Sequence, residues 1–97
     1  MFWVYMLRCR DRSFYVGHTD NLEQRLAQHE RGTFRGCYTF ERRPVVLVYC
    51  QAFATREEAL AMERRIKRWN RAKKVALTEG NWREVSRISR FKYCARR

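Results

Sequence analysis

The chain predicts an α+β domain: a small three-stranded antiparallel sheet flanked by helices, in the order β-β-α-β-α-α-α. Three observations carry this expectation. Residues 2–7 and 14–17 are aromatic and β-branched runs separated by the polar stretch 10–13, the pattern of a β-hairpin. Two capping-box patterns, Asp20 with Glu23 and Thr55 with Glu58, each stand before apolar residues at helical spacing. One Pro and four Gly leave no visible linker and no repeat, so the 97 residues read as one domain over 1–90 with a basic tail at 91–97.

Each element has its own signal. Phe2-Trp3-Val4-Tyr5-Met6-Leu7 is apolar at every position, as in a strand covered on both faces. Phe14-Tyr15-Val16 resumes strand character before Gly17. Asp20 is the expected N-cap of a helix that sets Leu22, Leu26 and His29 on one face and stops near Gly32. Residues 33–43 are polar, basic and glycine-containing, which reads as a loop; after Pro44, residues 45–50 form the third strand. Thr55 opens the longest helix, 56–69. Another runs through Lys73, Lys74 and Leu77 to Gly80, and Asn81 with Glu84 caps a last short one.

Charge narrows the function. The net charge of +12 favours polyanions, because each Lys or Arg that meets a phosphate releases a condensed counterion. Acidic proteins and anionic membrane surfaces would also be attracted. No apolar run approaches the ~18–20 residues of a membrane span, and the N-terminus lacks the basic n-region of a signal peptide. The expectation is a soluble cytoplasmic domain with no membrane partner. Cys9, Cys37, Cys50 and Cys94 contain no close pair and only two His accompany them, so buried thiols are expected rather than a zinc site or a disulfide framework.

Four features rise above this background. Tyr5 and Tyr15 each place a hydroxyl inside an apolar run of the hairpin, next to Gly17; packed core tyrosines would look the same. Arg25 and His29 are spaced i, i+4 on the helix face shared with Leu22 and Leu26, so the Arg charge must meet an anion, a dipole or a structural salt bridge. Glu63 falls within the apolar stripe of Ala59, Leu60 and Ile66, whereas Glu57 turns outward. An inward carboxylate calls for a cation, either an Arg or a hard metal such as Mg²⁺. After it, residues 64–74 hold Arg64, Arg65, Lys67, Arg68, Arg71, Lys73 and Lys74 with no acid among them: a solvated face or a phosphate-binding rim. Trp69 fits the apolar stripe and is expected to pack.

In this order the residues resemble the GIY-YIG nuclease superfamily. Trp3-Val4-Tyr5 stands where the first signature tripeptide belongs, and Tyr15-Val16-Gly17 matches the second. Asp20 to Leu26 with His29 resembles the family's Arg-bearing helix, and Glu58 to Glu63 the helix with its metal-binding Glu. Residues 66–74 with Trp82 resemble the small stand-alone bacterial members. The similarity spans residues 2–88. It departs at Trp3, where glycine is typical, and at His18, where Lys is common.

The resemblance implies a divalent-metal-dependent endonuclease acting on nucleic acid, DNA foremost. Glu63 would hold a single Mg²⁺ or Mn²⁺. Tyr5 would be the general base, its phenol lowered by nearby positive charge. Arg25 would bind the pentacovalent phosphate, Tyr15 would position water or phosphate, and His29 would assist proton transfer. His18, Arg64, Lys67, Arg68, Arg71, Lys73 and Lys74 are the candidate nucleic-acid contacts. Two other readings stay open: a nucleic-acid-binding module of the same fold without significant turnover, and, from composition alone, a basic ribosome-associated factor. Oligomeric state is not legible.

Overall fold

A computed structural model of the protein describes residues 1–33 and 35–80. Strand β1 (Phe2–Arg8) and strand β2 (Phe14–Thr19) form the hairpin, followed by helix α1 (Leu22–Arg31). A short 3₁₀ turn (Phe40–Arg42) precedes strand β3 (Val46–Phe53), and helices α2 (Arg56–Lys67) and α3 (Arg71–Gly80) complete the described chain. The expected last helix at Asn81 and Glu84, Trp82 and the tail 91–97 lie outside the described residues. Among the described residues no helix is long and apolar enough to cross a membrane.

The sheet order is β2-β1-β3, antiparallel throughout. β1 is therefore central, which is why its apolar run does not alternate: side chains of successive residues point to opposite faces, and both faces are covered. Tyr5 and Leu7 pack with Leu22 and Leu26 of α1 and with Leu47 and Cys50 of β3. Val4 and Met6 pack on the other side with Tyr49, Ala59 and Ile66, joined by Trp69 and Leu77. Trp3, at the position where glycine is typical, is half-buried against the first cluster.

β3 runs to Phe53, three residues beyond the expected strand. Gln51 and Ala52 interrupt the apolar pattern, yet they pair with Val4 and Trp3. An edge strand tolerates the exposed Gln51, whose Oε1 accepts a 2.6 Å hydrogen bond from the Tyr49 hydroxyl. A bulge at Val48 shifts the register between Met6 and Leu7. It keeps Leu47 opposite Leu7 on the α1 side, where an unbroken ladder would have turned it away.

The start of α1 corrects one expectation. Asn21, not Asp20, is the N-cap, and its side chain accepts from the Gln24 N–H at 3.1 Å. Thr19 causes the shift: its hydroxyl accepts from the Asn21 N–H at 3.1 Å and holds the chain extended one residue longer. The Asp20–Glu23 capping box is consequently not formed. The C-terminus is as expected, with Gly32 at φ 73° in the left-handed cap. In α2 the Thr55–Glu58 capping box is present. That helix ends at Lys67 rather than 69, the Trp69 N–H bonding Ile66 O at 3.0 Å in a tighter last turn. Asn70 then caps α3 through a 2.9 Å bond from the Lys73 N–H.

Candidate active site

Gly17 is the point around which the site is built. It sits in β2 opposite Tyr5, and a Cβ there would lie 2.7 Å from the Tyr5 hydroxyl and 3.2 Å from the Tyr15 ring. Glycine is required because the phenol crosses β2 at this position. The reach carries the Tyr5 Oη to His29 Nε2 at 2.9 Å. His29, only 2% exposed, meets Thr39 Oγ1 through Nδ1, also at 2.9 Å. The Thr39 hydroxyl donates onward to Cys37 Sγ at 3.6 Å. With that proton committed, His29 Nδ1–H donates to Thr39, and Nε2 is left to accept from the Tyr5 O–H. Tyr15 packs beside both, its ring centre 6.3 Å from Tyr5 and 5.1 Å from His29.

Burial governs protonation here. It pushes the Tyr5 phenol well above its ordinary value, Tyr15 adds to the rise, and the opposing influence of Arg25 is smaller. The expectation that positive charge lowers Tyr5 is thus reversed, because desolvation of a phenolate outweighs one half-buried guanidinium. Tyr15 is raised for the same reason. His29 is lowered to about 4 by burial and then by Arg25, so the imidazole is neutral at physiological pH.

A second cluster lies on the α2 side. Glu63 is 8% exposed and is the one buried carboxylate among the described residues. Neither an Arg nor a metal is needed to account for it: His18 Nδ1 contacts Oε1, and Lys67 Nζ lies 2.7 Å from Oε2. Burial raises the carboxyl, but the Lys67 and His18 hydrogen bonds prevail and hold it below the ordinary carboxylate value. His18 and Lys67, expected on the phosphate rim, are therefore placed against the carboxylate itself.

Among the described residues no group of three or more His, Cys, Asp or Glu could cage a metal. One hard carboxylate nonetheless fits a Mg²⁺-type ion, which keeps waters and takes substrate phosphate oxygens as its other ligands. A cation bound there would take the place of the Lys67 contact.

The remaining basic residues diverge. Arg64 and Arg68 line an outer hollow with Arg65 and Trp69. Arg71 turns back to the hairpin, its guanidinium 4.8 Å from the centre of the Phe14 ring. Lys73 lies over Trp69 at 4.4 Å, while Lys74 is half-buried. Cys9 is a buried thiol, as expected, whereas the Cys37 thiol is half-buried. Two site-lining residues have no sequence signal. Thr39 is buried and fixes the His29 tautomer, and Tyr38, 42% exposed, stacks on Tyr15 at 6.3 Å. Both belong to the segment read as loop, where periodicity carries no information.

The family model of the GIY-YIG catalytic domain matches residues 1–76. A UPF0213 protein of Staphylococcus haemolyticus is 44% identical over 78 residues, which are 79% of this chain and 93% of the relative. One from Oceanobacillus iheyensis is 46% identical, over 79% of this chain and 88% of its own. The solution NMR structure of a UPF0213 protein from Bacillus halodurans is similar with a TM-score of 0.53 at 38% identity, covering 81% of this chain and 84% of that one.

Proposed function

The chain belongs to the GIY-YIG family, and from that premise we propose that it is a divalent-metal-dependent endonuclease hydrolysing phosphodiester bonds in nucleic acid, DNA foremost. One observation carries the proposal: a buried carboxylate, Glu63, held by His18 and Lys67, in the same small domain as a buried Tyr–His pair. A pure phosphate binder has no use for an inward Glu among its cations, since the carboxylate repels the ligand.

Glu63 would hold a single Mg²⁺ or Mn²⁺, which when bound would supply Lewis-acid polarisation of the scissile phosphate and stabilisation of the leaving oxygen. The protein's own groups handle the proton. A free Tyr5 phenolate is disfavoured by burial, so Tyr5 works as a relay: its oxygen takes a proton from the attacking water while its own passes to His29 Nε2. The neutral imidazole is ready to accept, and Thr39 keeps Nε2 aimed at the phenol. Arg25, on the same helix face, donates charge-assisted hydrogen bonds to the phosphate as negative charge builds. Tyr15 orients water or phosphate. Arg64, Lys67, Arg68, Arg71, Lys73 and Lys74 supply salt-sensitive, sequence-independent attraction.

A second reading, binding without significant turnover, is favoured by the raised Tyr5 phenol. Cleavage of supercoiled plasmid, single strands, branched DNA and structured RNA with Mg²⁺ or Mn²⁺ separates the two. The nuclease reading expects cleavage by wild type and none by Glu63→Ala purified identically. Salt-sensitive binding with no cleavage by either would establish the second reading instead.

A further inference from the structure

The turn end of the β1–β2 hairpin contains a cavity of about 490 Å³ lined by Arg8, Arg10, Arg12 and Arg71 with Cys9, Pro44 and Val46, and not by Glu63. Its size suits a ligand site. Its charge is the unusual property. Four arginines share the lining of one cavity, which includes no Asp or Glu, and among the described residues none of the four is in an ion pair. The one acid among the turn residues 9–13 does not compensate them. Asp11, in the same turn, accepts from the Ser13 N–H at 3.0 Å, from the Ser13 hydroxyl at 2.6 Å and from Arg42 Nε at 3.1 Å.

Two of the arginines, Arg10 and Arg71, are also held in place, by neutral partners that leave their charge intact. Arg71 Nη1 donates to Arg12 O at 2.6 Å while its guanidinium covers the Phe14 ring. Arg10 Nη2 donates to Glu41 O at 3.2 Å. Arg12 has φ 71°, a left-handed conformation that costs a non-glycine residue energy and is kept where the surroundings require it. That conformation presents the carbonyl that Arg71 grips, tying the start of α3 to the hairpin turn. Arginines serving only as solvated surface would gain nothing from such fixation, and their mutual repulsion would favour dispersal.

We propose that this cavity is a phosphate-binding site that anchors a nucleic-acid strand at a distance from the site of cleavage. Planar guanidiniums in a fixed arrangement match phosphate oxygens in pairs. The spacing suits a continuous strand. Arg8 and Val4 are on β1, and Val4 pairs with His18, the partner of Glu63. Four residues of strand span about 13 Å, the rise of about four phosphates along one strand of a duplex. The site reads no base, so it contributes affinity and register rather than sequence preference.

The test measures oligonucleotide binding by fluorescence anisotropy against KCl, without divalent metal, so that it stands apart from whether Glu63 supports cleavage. The full-length protein is compared with Arg8→Gln/Arg10→Gln and with Arg71→Gln, each checked for folding by circular dichroism. Arg31→Gln/Arg35→Gln, which removes the same charge from exposed positions elsewhere, is the control. The proposal expects the first double variant to lose about 1–2 units of log–log salt slope and at least ~10-fold in affinity, beyond any loss in the control. Arg71→Gln is expected to lose about one unit, which keeps the test open should the double variant fail to fold. Losses equal to those of the control would overturn the proposal. Inorganic phosphate is titrated in parallel while the arginine Nε–H resonances are followed by NMR. Perturbation of these resonances by phosphate with an unchanged oligonucleotide slope would also overturn it, by assigning the cavity to a small free anion.

Discussion

The two halves of the candidate site solve opposite problems. On the α1 side Tyr5, His29 and Thr39 form a buried, uncharged network in which desolvation fixes every proton: the phenol stays protonated and the imidazole neutral. On the α2 side His18, Glu63 and Lys67 form a charged cluster in which pairing overrides burial and keeps the carboxylate ionised. The same physical cost, removing charge from water, dominates one half and is outweighed in the other. What decides is the presence of cations within hydrogen-bond reach. A phosphodiesterase needs both halves, one to move a proton and one to manage negative charge, and Gly17 lets the Tyr5 phenol of the first cross the edge strand.

Breaking the charged half has the largest effect. Glu63→Ala is expected to bring cleavage below detection with nucleic-acid affinity unchanged or raised, since a repelling carboxylate is lost; equal loss of binding would contradict a metal role. Breaking the neutral half comes next. Tyr5→Phe is expected to slow single-turnover cleavage by ~10²-fold or more with little change in affinity, and an unchanged rate would remove the relay. Gly17→Ala attacks the junction itself. A methyl 2.7 Å from the Tyr5 hydroxyl forces the phenol aside, so about 1–3 kcal/mol of stability and most of the activity are expected to go, read by urea denaturation and cleavage.

Protonation sharpens the contrast. The folded-state value of His29 is depressed from 6.5 to about 4, so the unfolded chain takes up the proton first as pH falls. The associated stability, on the order of 3 kcal/mol, is complete above pH ~6.5 and is lost as pH falls toward ~4. Glu63, depressed from 4.5, loses its own contribution only below that value, so a comparison of pH 7 with pH 5 isolates His29. Urea midpoints at pH 7 and pH 5 are expected to converge in His29→Gln and to differ in wild type. The smallest effect belongs to Lys67, whose side chain is 53% exposed. Lys67→Gln is expected to raise apparent Mg²⁺ affinity less than ~5-fold, as a solvent-screened competitor leaves the carboxylate.

Elements that depend on local chemistry were legible in the sequence. The apolar run of β1, the Thr55–Glu58 box and the inward position of Glu63 follow from periodicity and capping, and all are present. What escaped depends on contacts between distant segments. Thr39 reaches His29 from the loop, Lys67 and His18 reach Glu63 from a rim assigned to phosphate, and the rise of Tyr5 requires knowing how deeply it is packed. The displaced cap at Asn21 is a nearer miss, because two adjacent residues both suit an N-cap and only the Thr19 hydroxyl distinguishes them.

The order of the elements along the chain also imposes an order in time. Tyr5 and His29 are separated by 24 residues, whereas His18 and Glu63 are separated by 45. During synthesis, at ~5–20 residues per second, the hairpin and α1 leave the ribosome seconds before α2 does. Glu63 is therefore the last of the proposed catalytic side chains to arrive. A nascent chain, or one cut before α2, can carry every group of the proposed proton relay and still lack the carboxylate, so on the proposed mechanism a half-made molecule would be unable to cut the nucleic acid that surrounds it.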